Sequence, residues 1–158
     1  MLIVYEPAPS PTAEDLRGKQ EDTLALTWEQ RRWVRGKFRT TQGREIALAL
    51  PTGIPLEPGA IVLVEETWYV RVEPVAENLL SVTPRDHAES IKLAFEIGNR
   101  HFPLALDGHT ILVPDDPVMT QLFNRLGVAY ERRAAVFSPI GNGLAHNGFA
   151  HEGFSDAR

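Results

Sequence analysis

Two helical stripes, each ended by a glycine and each set between short β-rich runs, constrain this chain more than any other feature. Pro84 is expected to open the first helix, in which Ile91, Ala94, Phe95 and Gly98 recur at helical spacing. Val118, Met119, Leu122, Phe123 and Leu126 do the same after Asp115 and Asp116, and are expected to form a buried stripe. Gly98 and Gly127 are placed as stops, because glycine adopts the left-handed conformation of a helix end at little cost. Asp115 or Asp116 is expected to cap the second helix, with Pro117 in its first turn. Strands are expected over Asn78 to Thr83, Phe102 to Leu106, Thr110 to Val113 and Val128 to Phe137. Asp107, Gly108 and His109 form a hairpin turn between the middle two. The order β-α-β-β-α-β predicts a ferredoxin-like domain, one antiparallel sheet with two helices on one face.

The first half of the chain lacks such stripes. Residues 1–74 read as a small all-β domain. Trp33 to Thr40 alternates as a strand, Thr41-Gln42-Gly43 turns it, and Glu45 to Leu50 returns. Thr27 and Gln30 stand at capping-box spacing around a short turn. Proline and glycine then punctuate two further β-rich runs, Ala60 to Val64 and Thr67 to Val72. Short strands with turns between them suggest a barrel or sandwich, with a boundary near Glu73 and Pro74. The fold class is therefore α+β, with residues 75–140 as the ferredoxin-like domain. Residues 141–158 have little periodicity and are expected to form a flexible tail.

Composition removes several function classes. The chain has no cysteine, so disulfides, iron–sulfur clusters and thiolate metal sites are out. Its start is apolar for five residues without a basic segment, unlike a secretory signal, and no apolar run approaches the ~20 residues of a membrane span. These features suit a cytoplasmic protein with no membrane partner. A net charge of −5 argues against a nucleic-acid partner. One local exception is the run from Arg31 to Arg44, with six basic residues and no acidic one, which is either a solvated strand face or a docking patch for an acidic surface.

No phosphate loop, nucleophile elbow or His-Glu-x-x-His helix is present, so a binding role is favoured over catalysis and the chain is not expected to be an enzyme. That turns attention to the five histidines. His87 falls in a helix first turn and His109 in a hairpin turn, both expected at the surface. His146 and His151 lie in the tail. His101 directly follows a helix stop, in Gly98-Asn99-Arg100-His101. A single imidazole makes no tight metal site, but a twofold axis brings two copies together. Imidazole suits nickel, copper and zinc. Two histidines from a dimer, joined by one or two from the tails, would make a nitrogen shell with exchangeable members. Composition alone does not choose this reading.

The segments "LTWEQRRWVRGKFRTTQGREIALALPTG", "IGNRHFPL", "ILVPDDPVMTQLFNRLGV" and "FSPIGNG" together resemble the UreE family of urease accessory proteins, which carry nickel. The likeness covers nearly the whole chain beyond Thr23, and Gly-Asn-Arg-His before a proline-containing strand is its most specific part. The resemblance implies that residues 1–74 bind polypeptide or a partner and that residues 75–140 bind metal and dimerise. It implies that His101 of both copies holds one Ni(II) ion at the dimer axis. It also implies delivery of that ion to urease apoprotein together with the other accessory proteins, including the GTPase UreG. Zn(II) or Cu(II) suits the same ligands.

Two departures from the family pattern matter. The tail holds only His146 and His151, so it lacks the many histidines of a storage tail; either can complete the shell, and His146 is the closer positional match. Pro114-Asp115-Asp116-Pro117 stands where some members carry a histidine pair, so that further metal site does not carry over. Two other readings compete. One is a general polypeptide chaperone with incidental metal binding. The other is an RRM-like nucleic-acid module of the same element order, which the strands disfavour because Asn78 to Thr83 has no stacking aromatic and Val128 to Phe137 lacks the Lys/Arg-Gly-Phe pattern.

Overall fold

The structure, a computed structural model, describes residues 1–6 and 10–141. It divides between Val75 and Ala76 into two compact units. Among the described residues no helix is long and apolar enough to cross a membrane.

Among the described residues the first unit holds six strands and two short helices: β1 (Leu2–Val4), α1 (Ala13–Leu16), β2 (Gln20–Leu26), α2 (Trp28–Trp33), β3 (Arg35–Arg39), β4 (Glu45–Ala49), β5 (Ile61–Val64) and β6 (Trp68–Pro74). They form two three-stranded sheets, in the orders β1-β4-β3 and β2-β6-β5. β1 runs parallel to β4, and β2 parallel to β6. Parallel partners are far apart in sequence, and no local turn signals them. That is why neither β1 nor β2 stands out in the chain read alone. Alternate residues of the sheets share one core that includes Leu24, Leu26, Ile46, Leu48, Val70 and Val72.

This unit is not purely β. α2 grows from the anticipated capping box: the Thr27 hydroxyl accepts from the Gln30 N–H, and the Gln30 side chain accepts from the Thr27 N–H. The helix continues through Trp33, so the strand expected from Trp33 begins instead at Arg35. Val34 makes the turn between them. Its φ is 55° and its side chain is fully buried. A β-branched residue rarely adopts this conformation, and here core packing holds it there.

Asp22 ties the β3–β4 turn to β2. It is only 1% exposed. Its carboxylate accepts from the N–H groups of Thr23 and Gln42 and from Arg44 Nη1 at 2.8 Å. Burial alone would raise its pKa. Hydrogen bonds from the Thr40 hydroxyl, the Arg44 guanidinium and those backbone N–H groups prevail and hold it below its ordinary 3.8. A depressed carboxyl stabilises the fold above the unfolded value and loses that contribution as pH falls through the folded one. Asp22→Asn is therefore expected to cost about 2–3 kcal/mol at pH 7, because it uncouples a buried charge from Arg44 and from its donors. Urea unfolding across pH 2 to 7 checks both statements: the variant should start less stable and lose less between pH 4 and pH 2.

The second unit has the predicted order: β7 (Ala76–Val82), α3 (His87–Asn99), β8 (Ala105–Asp107), β9 (Thr110–Pro114), α4 (Pro117–Leu126) and β10 (Glu131–Val136). Its sheet is antiparallel throughout, in the order β10-β7-β9-β8. Leu80, Val82, Ile111 and Val113 present one sheet face to both helices. α4 follows expectation. Asp116 caps it by accepting from the Val118 N–H at 2.8 Å, Pro117 opens it, and Gly127 ends it at φ 67°. Met119, Leu122 and Phe123 are buried, while Leu126 is half-buried and Val118 is 44% exposed.

α3 departs from expectation in three ways. Asp86, not Pro84, opens it, accepting from the Glu89 N–H at 2.8 Å. The helix runs through Gly98 to Asn99, so Gly98 is not its stop. Its buried residues are Leu93 and Ile97, whereas Ile91 is 58% exposed and Phe95 66% exposed. Ala94 and Gly98 are exposed beside them. The stripe legible in the sequence is thus the outward one.

Candidate metal centre

The corner after α3 is built to hold one imidazole outward. Arg100 caps the helix, and its N–H donates to the Ile97 carbonyl. Its guanidinium turns back onto the helix, with Nη1 donating to Glu96 Oε2 at 2.6 Å and to the Glu96 carbonyl at 2.9 Å. Arg100 is thereby a brace and not a free cation. The His101 N–H donates to the Gly98 carbonyl at 2.9 Å, and the Phe102 N–H reaches back to Ile97. Phe102 and Leu104 then pack against the core of the unit. Pinned on both sides, the chain passes through the left-handed region at His101, where φ is 61°. Histidine tolerates that region better than most non-glycine residues. The side chain is exposed.

The apolar face of α3 leads straight to this corner. Ile91, Phe95 and Gly98 lie along one side of the helix, about one turn apart, and His101 comes two residues after the helix ends at Asn99. The sequence contains the signal for this. α3 carries Ala88, Ile91, Leu93, Ala94, Phe95 and Ile97, more apolar positions than one face against a sheet requires. Periodicity alone does not say which stripe packs inward.

The tail begins near the same place. The Ile140 N–H donates to the Leu104 carbonyl at 2.8 Å, so the chain passes toward Gly141 beside Leu104, which is three residues beyond His101. His146 and His151, and the flexible tail expected over residues 141–158, lie outside the described residues beyond Gly141. His87 and His109 are both exposed, at the helix start and the hairpin turn. Among the described residues no three histidine, aspartate or glutamate side chains come together around a possible ion. Asp115 is engaged with Arg132 and Asp116 with the α4 N-terminus.

Comparison with known proteins matches both units. A family model described as the UreE urease accessory protein N-terminal domain matches residues 8–74, and one for the UreE C-terminal domain matches residues 77–156. A urease accessory protein UreE from Synechococcus sp. (strain JA-3-3Ab) is 35% identical over 121 residues, covering 77% of this chain and 81% of the relative. The UreE of Nitrosococcus oceani is 31% identical over 151 residues, covering 93% and 87%. The UreE of Paraburkholderia xenovorans is longer: 30% identity over 132 residues covers 81% of this chain but 59% of that protein. The family is named for an accessory role and not for a catalysed reaction. With one half matched to each domain model in turn, and relatives aligned across both, the chain belongs to the UreE urease accessory protein family.

Proposed function

We propose that this protein carries nickel to the urease apoprotein in the cytoplasm, as a homodimer whose two His101 side chains share one Ni(II) ion. The observation that carries the reading is the exposed stripe of α3. Ile91 and Phe95 leave two large apolar side chains in water on a helix already packed through its other face. A second copy of the same stripe would cover them, and a twofold contact there would bring the two His101 corners together. The braced backbone at Arg100 and Phe102 supports each imidazole in a fixed position, while its exposure leaves room for further ligands.

Two imidazoles leave coordination positions open. His146 is five residues beyond Gly141 and so within about 17 Å of it at full extension, and His151 within about 35 Å. In this reading a tail histidine joins the ion at His101 and leaves it again, so the site would hold nickel without trapping it. Zn(II) and Cu(II) suit the same nitrogen donors, and selectivity rests on geometry and supply. In this reading residues 1–74 dock urease or its accessory proteins, the GTPase UreG among them, and residues 75–140 hold metal and the dimer contact.

Equilibrium nickel titration combined with light scattering tests the proposal. One tight nickel per two chains is expected. Tight binding of one ion by a chain that scatters as a monomer would reject it.

A further inference from the structure

The first unit carries an exposed feature that nickel handling does not use. Of the six cations between Arg31 and Arg44, three are engaged within the unit. Arg31 is 2% exposed, Arg39 pairs with Glu45 at 2.8 Å, and Arg44 pairs with Asp22 while its guanidinium lies 4.1 Å from the Trp68 ring centroid. The basic run is therefore not one continuous surface patch. Arg32, Arg35 and Lys37 remain exposed, and their side chains have no hydrogen-bond or ion-pair partner among the described residues. Between Arg32 and Arg35 stands Trp33, 62% exposed, which lines an open hollow of about 380 Å³ with Arg35, Glu29 and Gln30.

The backbone explains how a tryptophan comes to stand in water there. Val34 fills the core at 0% exposure in the left-handed conformation, and the turn it makes leaves Trp33 outside and starts β3 at Arg35. β3 is an edge strand. Among the described residues it pairs with β4 alone. Arg35 and Lys37 share the face opposite Phe38, which packs against the core. Across the ladder they face Ala49 and Ala47, whose small side chains leave both cations accessible.

We propose that the outer edge of β3 takes up an extended acidic segment of a partner protein as an added strand. Carboxylates at alternate positions would face Arg35 and Lys37, and an apolar side chain would rest on Trp33. An unpaired edge offers backbone hydrogen bonds to any strand, and its cations set which strands are accepted. Like charges repel a second copy of β3, so the edge is guarded against self-pairing, whereas an acidic strand is attracted. Arginine beside an exposed tryptophan is the composition of a binding hot spot. A nucleic-acid backbone fits less well, since the three free cations at this edge, on a chain of net charge −5, give little counterion release. The proposal deepens the reading of residues 1–74 as the partner-docking part and is independent of the nickel site.

The test uses the full chain without nickel and a fluorescein-labelled peptide of eight residues alternating Glu and Val, followed by fluorescence anisotropy. The wild type should bind it. Arg35→Glu combined with Lys37→Glu should weaken binding by about tenfold or more, and Trp33→Ala by several-fold. Arg125→Glu, at an exposed position of the second unit, should leave it unchanged. A peptide of the same composition with its four Glu residues in one block should bind several-fold more weakly, because its carboxylates miss the two-residue spacing. Absence of binding to the wild type, unchanged binding by the double variant, equal binding of the block peptide, or equally tight binding of a single-stranded oligonucleotide of matched charge would each overturn the proposal. Association of the wild-type chain with urease apoprotein, measured by co-sedimentation, tests the broader docking reading separately, since it is scored without any of these variants.

Discussion

Replacing His101 with alanine is expected to abolish the tight nickel site. Because the proposed dimer uses the same residue twice, one substitution removes both fixed ligands, and the remaining donors lie on the tails. A loss of at least about 100-fold in affinity is expected, or about 2.8 kcal/mol at 1.4 kcal/mol per tenfold. The fold should survive, because the side chain is exposed and its backbone is held by Arg100, Glu96 and Phe102. Alanine is less at ease than histidine at φ 61°, so a second variant separates the two effects. His101→Asn keeps a residue that tolerates the left-handed region while removing the imidazole. Both variants should lose tight nickel in calorimetric titration with thermal melts close to wild type. Tight binding that persists in either variant would remove His101 from the site.

Placing a charge on the outward face of α3 is expected to split the dimer and, with it, the metal site. Phe95→Asp puts a carboxylate at a position that is 66% exposed in the single chain, so the unit itself should lose no more than about 0.5 kcal/mol. In a twofold contact the change occurs twice. At about 2 kcal/mol for each buried phenylalanine, the dimer should weaken by about 4 kcal/mol, close to 1,000-fold in its dissociation constant. Sedimentation should then show a folded monomer, and nickel titration should show loss of the tight site although His101 is untouched. The coupling of the two readouts is what matters. If Phe95→Asp dissociates the protein and nickel still binds tightly, the ion is held within one chain and the shared site is wrong.

The second unit was readable from its residues because its signals are local. Asp116, Pro117 and Gly127 set the ends of α4 through bonds to neighbours within a few positions, and Asp107-Gly108-His109 made a hairpin by itself. The first unit was less readable. β1 and β2 are strands because β4 and β6, from 44 and 48 residues further along, give them parallel partners. The capping box at Thr27 and Gln30 is local and was visible; how far α2 ran beyond it was not, since its end depends on Val34 being driven into the core.

The candidate site divides along the same line. The amino acids alone pointed to His101, through its place after a helix and through the likeness around Gly98-Asn99-Arg100-His101. They also contained the stripe of Ile91, Ala94, Phe95 and Gly98, but a period of 3.6 residues gives an angle on a helix and no direction in space. The tertiary structure decided that direction, because the sheet face of Leu80, Val82, Ile111 and Val113 is filled by Leu93 and Ile97 and has no room for a second set. It also decided that His101, and not Gly98, takes the left-handed turn. Short-range hydrogen bonds are written in neighbouring residues; which of two apolar faces stays in water is settled only when the rest of the chain has taken up its share of the core.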